Sequence, residues 1–456
     1  MAMVVKNNMS ALSTLNTLNK NTNALSKSLQ KVSSGMKINS AADDASGYAI
    51  SERMRVQIRS LDQANSNAQN GGSMMKVAEG AVSSTVEILK TLKEKAVNAA
   101  NDTNTDADRA TIQKELDQSI DQINDNANVT FNGQYLVDGS KNKQTTATTT
   151  IMTNQSLDAS TTSSTGMTAL KARNGDSLNI HSTDTITVSY VQDGETHTSS
   201  VKLDGTAENS PIASTDLGKM TLGQIISQLT DGKVTIGNGK GGTEATKGAT
   251  SFIGIDGSGN SVYTASGESA ISIASENSGI NNQISGFTIS VTDNTGAVNK
   301  SANAALDAFE EQIRAQNKSV DNSIVMQVGT KANQSIKVGL TDMKAQALGL
   351  QGKDGSTLSI GNQDKANAAI NVLDAAIQKA LDQQTTIGAV ESRLEYTRSN
   401  LTTASENVTA AESVIRDADM AKEMTEYTKN NVLMQAAQSM LAQANQSSSN
   451  VLSLLQ

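Results

Sequence analysis

Toward the C-terminus, Ile387, Leu394, Leu401, Val408 and Ile415 recur at a strict interval of seven, with Val390, Thr397, Ala404, Ala411 and Ala418 three residues after each. A seam of that period keeps one apolar stripe on one side of a gently supercoiled helix. After a small phase change Met420, Tyr427, Met434 and Leu441 resume the interval. No Pro falls between Asp364 and Asn450, so the spacing predicts uninterrupted helix over that stretch, roughly 130 Å at 1.5 Å per residue, with Gly388 its one weak point. A helix that long cannot bury its stripe against itself. It needs another helix.

The other end of the chain supplies one. Leu15, Leu18, Thr22, Leu25, Leu29 and Val32 alternate three and four apart, continuing backwards through Ala11 and stopping at Ser33-Ser34-Gly35. A second long helix is expected from about Asp43 to Asn101, carrying Met75, Ala78, Val82, Thr85, Leu89, Leu92, Ala96 and Ala99 on one face. A third follows the capping-rich turn at 102–106, with Ile112, Leu116, Ile120, Ile123 and Ala127 aligned. Small and medium residues alternate along these seams, which predicts antiparallel bundle packing rather than a two-stranded zipper.

Between the arms the composition changes. More than half of the 33 Gly residues fall between Lys141 and Lys300, among dense Ser and Thr. Ile186, Val188 and Tyr190 alternate with polar residues, Asp193-Gly194 supplies a hairpin turn, and Val201 and Leu203 return. Further strands are expected at Ala270 to Ala274 and Phe287 to Val291, a short helix at Thr221 to Leu229, and edge hairpins at Phe131 to Gly139 and Ile324 to Leu340. The fold class expected is mainly α: a long antiparallel helical bundle or coiled-coil rod formed by the N- and C-terminal arms, with an inserted β-rich outer module of α+β character.

Composition narrows the chemistry. The chain has no Cys, which removes disulfides and thiolate chemistry, and its two His residues make His-based relays and most metal sites improbable. With no Trp, four Phe and six Tyr, there is little aromatic volume for a conventional globular core. A formal charge of -9 gives no whole-chain attraction to nucleic acid or to an anionic membrane. The longest apolar runs are too short to span a bilayer, and the N-terminus lacks the pattern of a secretory signal. His181 and His197 lie far from the spacing of four, with an intervening Glu, that a zinc protease needs. Asp43 and Asp44 are sequence neighbours and do not face one site; helix N-terminal stabilisation, or pairing with Arg53 or Arg55, is expected instead. Gly35 and Gly47 read as a helix stop and a close-packing site, Gly71-Gly72 as close contact or a bend, and Gly241-Gly242 as linker. No catalytic residue, cofactor or metal is expected.

Both extremities are almost free of charge. After Glu426 the only charged side chain is Lys429, and the first 42 residues hold five lysines and no acid. Long amphipathic helices of this kind seek partners, so assembly is the expected function. The assembly surface is expected on Leu15, Leu18, Leu25, Leu29, Val32, Met420, Tyr427, Met434 and Leu441, with Met424 and Met440 as adaptable packing. The core of the helical rod is expected on Leu89, Leu92, Ile387, Leu394, Leu401, Val408 and Ile415.

The run Ser33-Ser34-Gly35-Met36-Lys37-Ile38-Asn39-Ser40-Ala41-Ala42-Asp43-Asp44-Ala45-Ser46-Gly47-Tyr48-Ala49-Ile50 closely resembles the signature of bacterial flagellin, the subunit of the flagellar filament. Phe131-Asn132-Gly133, Gln327-Val328-Gly329, Ala347-Leu348-Gly349 and Ile415-Arg416-Asp417-Ala418-Asp419-Met420 resemble the same family. The signature positions are Ser33, Gly35, Asn39, Asp43, Asp44 and Gly47. What the resemblance implies is a structural filament subunit, secreted without a signal peptide through the flagellar type III channel and polymerised outside the cell into a hollow helical tube for motility. It implies residues 1–42 and 420–456 as inner-core helices, 43–140 and 323–419 as the two parts of a helical rod domain, and 141–322 as a variable surface module. Implied partners are other copies of the chain, an export chaperone on the C-terminal arm, and the filament cap and hook-associated proteins. A hook-filament junction protein, and an adhesive or glycan-binding module displayed on the rod, are the alternatives.

The resemblance also implies a contact region for the vertebrate Toll-like receptor that senses flagellin, at Leu89, Thr91, Lys93, Glu94, Lys95 and Glu115. Thr91 stands where receptor-bound members of the family carry an Arg, and Lys95 where they carry Leu, so weak recognition is expected.

Overall fold

The computed structural model describes residues 8–203, 220–236 and 252–454; the Gly241-Gly242 pair and the final Leu455 lie outside them. In chain order come α1 (Met9–Ser34), α2 (Ala45–Ala99), α3 (Asp106–Ala127), β1 (Thr130–Phe131), β2 (Gln134–Tyr135), β3 (Ile151–Asn154), β4 (Thr185–Gln192) and β5 (Glu195–Lys202). Then follow α4 (Leu222–Leu229), β6 (Val234–Ile236), β7 (Phe252–Ile255), β8 (Ser261–Tyr263), β9 (Ile271–Ser275), β10 (Ile284–Thr292), α5 (Lys300–Leu306) and β11 (Phe309–Ile313). The chain closes with β12 (Ile324–Gln327), β13 (Ser335–Val338), α6 (Ala345–Leu348), α7 (Gln363–Arg416) and α8 (Met420–Leu454). The described residues form two compact units. The first is 1–69, 327–335 and 395–456; the second is 70–326 and 336–394, and α2 and α7 each contribute to both.

Long helices at both ends and a β-rich middle agree with the expected class. One expectation fails: the C-terminal helix is not continuous. It runs through Gly388, breaks at Asp417-Ala418-Asp419 and restarts at Met420, where the phase of the heptads changes. Asp419 causes the restart, because its Oδ1 accepts from the backbone N–H groups of Ala421 and Lys422 at 3.0 and 3.2 Å and so caps α8.

In the second unit, the helical seam is buried as its spacing requires. Met75, Ala78, Val82, Leu89, Leu92, Ala96 and Ala99 of α2, Leu116, Ile120, Ile123 and Ala127 of α3, and Ile387 and Leu394 of α7 are all inside. Thr85 is also buried, its hydroxyl satisfied by donating to Ala81 O at 3.0 Å. Thr105 and Asp108 form a reciprocal capping box at the start of α3. Buried Arg109 then donates to Ala99 O at 2.8 Å and Asn101 O at 3.1 Å, taking up carbonyls left open at the end of α2.

The inserted segment is a sandwich of short antiparallel strands. One sheet has the order β10-β4-β5 and another β11-β3-β9-β6, with β7-β8 as a separate hairpin. Asp193 (φ 52°) and Gly194 (φ 77°) both occupy the left-handed region, as the two-residue hairpin between β4 and β5 demands. Thr221 caps α4 as its sequence predicts. The shortage of aromatics does not leave this region without a core. Leucine, isoleucine and valine fill it, including Leu157, Leu178, Ile186, Val188, Leu222, Ile225 and Ile289, and Phe287 meets Phe309 edge to face at 5.1 Å.

The segment is also tied down. A Cβ on Gly286 of β10 would stand 2.8 Å from Val372 Cγ2 and 3.1 Å from Ala368 O, so the strand lies almost in contact with the α7 backbone. At the β4-β5 turn, Asp193 accepts from Lys353 N at 2.7 Å through its carboxylate and from Ser356 Oγ at 3.2 Å through its carbonyl.

Candidate assembly interface

Helices α1 and α8 pair antiparallel in the first unit. Asn8 donates to Ala444 O (3.2 Å), Asn21 to Leu433 O (3.2 Å), Asn430 to Ser28 Oγ (3.0 Å), and Lys31 pairs with Glu423 (3.4 Å), so positions rise on one helix as they fall on the other. The α1 stripe facing α8 passes through Leu18, Leu25, Ser28 and Val32, and the α8 stripe through Tyr427, Met434, Ala437 and Leu441. Only Ser28 and Ala437 are buried among the described side chains of the pair.

Exposure differs along the expected assembly surface. Leu15 and Leu29 are 40% and 52% exposed, and Met420 of α8 is 43% exposed. They lie beside the intrachain contact rather than in it, along with Leu12, Met424, Val432, Leu433 and Met440, which are likewise open to solvent. The structure therefore sorts the predicted residues into two sets. Leu18, Leu25, Val32, Tyr427, Met434 and Leu441 are half-buried between the chain's own ends; Leu15, Leu29 and Met420 are 40–52% exposed.

The signature run closes the base of this pair. Gly35 ends α1 at φ 71°, donating to Lys31 O at 2.9 Å. Its carbonyl accepts from Ala418 N (2.9 Å) and Lys37 N donates to Arg416 O (2.8 Å), so a short antiparallel bridge joins this turn to the break between α7 and α8. Asn39 donates to Met36 O at 3.2 Å. Asp43 accepts from the backbone of Asn39 and Ser40 at 3.2 and 3.0 Å. Asp44 caps α2 by accepting from Ser46 N and Gly47 N, both at 3.0 Å. These bonds, led by Ser40 N–H for Asp43 and Gly47 N–H for Asp44, hold both carboxyls below the ordinary aspartate range. The expected pairing with Arg53 or Arg55 is absent from both; Arg55 pairs with Glu52 instead, at 3.4 Å. Gly47 is a close-packing site as expected, since a Cβ there would collide with the Asp44 carboxylate and approach Ile38 Cδ1 to 2.8 Å. Ser33 is exposed on the last turn of α1.

Arg416 is the residue that spacing did not single out. It is 5% exposed, donates to Glu52 Oε1 at 2.6 Å, reaches Ser51 Oγ at 3.4 Å, and lies over the Tyr48 ring at 5.4 Å. The hydrogen bond from Arg416 holds Glu52 below the ordinary glutamate range.

Farther along the first unit, Leu61, Ala64 and Leu401 form a small buried cluster, with Val408 half-buried against it and Ile415 half-buried beyond. In the second unit Gly71 packs against the thioether of Met326, which a side chain there would have to displace, whereas Gly72 faces open space. Leu89 is fully buried, so it cannot be touched by a receptor; Thr91 and Glu94 are exposed, Lys93 pairs with Asp374, and Lys95 pairs with Glu115 at 2.9 Å. His197 stacks on Tyr190 at 5.0 Å and His181 Nδ1 lies 3.9 Å from Asp184. Among the described residues no group of three His, Asp or Glu side chains is placed to hold a metal ion, and no helix is long and apolar enough to cross a membrane.

Paired terminal helices that satisfy their backbone internally but leave apolar side chains in the open define a self-assembling structural subunit. The sequence matches to known proteins agree. The bacterial flagellin N-terminal helical region matches residues 5–142, and the bacterial flagellin C-terminal helical region matches 370–455. Flagellin of Clostridium tyrobutyricum is 36% identical over 454 residues, covering 97% of this chain and 99% of that protein. Flagellin of Bacillus subtilis (strain 168) is 29% identical over 473 residues, covering 99% and 100%. Among solved structures, FliC from Burkholderia pseudomallei aligns with 71% of this chain and 99% of its own at 16% identity and a TM-score of 0.25. Flagellar hook-associated protein-3 from Legionella pneumophila aligns with 79% and 97% at 16% identity and a TM-score of 0.32. The chain belongs to the bacterial flagellin family and is a structural subunit of the flagellar filament.

Proposed function

We propose that copies of this chain polymerise through the outward stripes of α1 and α8, the surface on which Leu12, Leu15, Leu29, Met420, Met424, Val432, Leu433 and Met440 are exposed. The observation that carries this reading is the coincidence of exposed apolar side chains with near absence of charge: beyond Glu426 only Lys429 is charged. Surfaces meant for water are mixed in charge, and these are not. Residues 1–42 and 420–456 then form the inner layer of a hollow helical filament, 43–140 with 323–419 the layer around it, and 141–322 the outer surface. The chain leaves the cell through the flagellar type III channel, an export chaperone covers the α8 stripe beforehand, and the filament cap and hook-associated proteins meet the ends of the polymer. It performs no catalysis and uses no cofactor. Deleting Met420–Gln456 tests the reading: electron microscopy after seeding with filament fragments should find no filaments, while circular dichroism shows the second unit still folded. Filaments from the shortened chain would refute it.

Recognition by the vertebrate Toll-like receptor is weak in the same reading. Thr91 turns its hydroxyl onto Glu87 O at 3.1 Å, and Lys95 occupies the Glu115 carboxylate. Thr91→Arg with Lys95→Leu supplies a forked donor and frees Glu115, and should raise monomer affinity about tenfold or more in a direct binding assay, the scale of one interface hot spot. Equal affinities would show that these positions are not read.

A further inference from the structure

The methionines of this chain fall into separate environments. Met75, Met152, Met167, Met220, Met326 and Met343 are 7% exposed or less. Among the described residues the exposed methionines are Met9 (67%), Met420 (43%), Met424 (45%) and Met440 (61%), and all of them lie on α1 or α8. A methionine this open on a helix carries its thioether in water, at the end of an unbranched, flexible side chain. On α8 these residues adjoin the other open apolar side chains: Met424, Thr428 and Val432 follow at intervals of four, Leu433 and Met440 at seven, and an open groove is lined by Met424, Val432 and Leu433.

The chain has no Cys and no Trp, so no thiol or indole competes for an oxidant, and an open thioether is the group a hydroperoxide attacks first. A sulfur lone pair attacks one peroxide oxygen, the S–O bond forms as the O–O bond breaks, and water leaves. Sulfur gives up two electrons and the peroxide takes them. The product is a sulfoxide, polar and a hydrogen-bond acceptor. The surface that carries it is built of Leu, Val and Met with almost no charge. Pressed against a second such surface, the sulfoxide oxygen loses water and meets no donor.

We propose that Met9, Met420, Met424 and Met440 form a peroxide-sensitive modification site, whose oxidation stops free subunits from assembling without unfolding them. The proposal rests on the outward stripes of α1 and α8 being the contact between copies. It adds that this contact is lost when its methionines become sulfoxides and returns when they are reduced. The buried methionines are out of the oxidant's reach, so the modified chain keeps its fold.

The test treats the full-length monomer with hydrogen peroxide, locates the added oxygen by peptide mass spectrometry, and follows growth from filament seeds by electron microscopy. Met9, Met420, Met424 and Met440 should oxidise before the buried methionines, with native circular dichroism. Growth should slow about tenfold or more, the size of one buried polar group left unpaired. Methionine sulfoxide reductases acting on both epimers should restore it. Changing all of these residues to Leu, a volume-conserving swap, should give a chain that grows with or without peroxide. Native growth by monomer carrying the sulfoxides, a loss that the reductases do not reverse, or a Leu variant stopped by peroxide as the native chain is would each overturn the proposal. Should the Leu variant fail to grow untreated, reductase rescue of the oxidised native chain decides. Assembled filaments given the same peroxide test the contact separately: protection of these methionines upholds it whatever the sulfoxides do to growth, and oxidation at the monomer's rate refutes it.

Discussion

The paired ends and the middle of this chain spend their apolar residues differently. Between them α1 and α8 bury only Ser28 and Ala437 among their described side chains and leave leucines and methionines 40–67% exposed, whereas the inserted β-rich segment encloses leucine, isoleucine, valine and phenylalanine from every strand of its two sheets. One region is finished within the chain; the other is half of a contact. The lesson is that the same heptad statistics can describe a core or an interface, and only the burial of particular side chains tells which.

The comparison breaks most visibly at single leucines. Leu222→Ala should destabilise the monomer by about 3 kcal/mol, since it empties a fully buried site in the inserted segment. Leu29→Ala should change monomer stability by no more than about 0.5 kcal/mol, its side chain being half in water already. Urea titration of the two variants measures the difference, and similar losses would mean that α1 is packed more tightly than its exposure indicates.

A smaller effect sharpens the picture at the base of the helix pair. Glu52 sits below its ordinary value in the folded chain because Arg416 donates to it. Its bond therefore contributes stability above the ordinary glutamate range and loses it as pH falls through the lowered folded value. Once corrected for the intrinsic exchange rate, hydrogen exchange over residues 35–55 should quicken on acidification in the native protein. Arg416→Met should quicken it already at neutral pH and flatten the acid response; an unchanged pH profile in that variant would remove Arg416 from the account.

Much of this was legible in the residues alone. The heptads and the Ser33-Ser34-Gly35 stop placed α1, the Asp102–Asp106 turn placed the start of α3, and Asp193-Gly194 placed the β4-β5 hairpin. Three things were not legible. β3 is buried at all four positions, Ile151 to Asn154, so it has no alternation to betray a strand. The break after Arg416 contains neither Gly nor Pro; it depends on the Asp419 cap and on backbone bonds to Gly35 and Lys37, far away in sequence. For the interface, spacing of three and four marks a stripe but cannot say whether Leu15 and Leu29 meet the chain's own α8 or another copy, because adjacent stripes on one helix share that spacing.

The most direct measurement replaces the outward stripe while leaving the inner one intact. Leu12, Leu15 and Leu29 changed together to Gln keep good helix formers and spare Leu18, Leu25 and Val32. Sedimentation and electron microscopy after seeding should then find a folded monomer, with native circular dichroism, that adds to no filament, whereas Leu18→Gln should loosen the monomer itself. Filaments growing from the triple variant at the rate of the native chain would contradict the claim that these exposed leucines are the assembly surface.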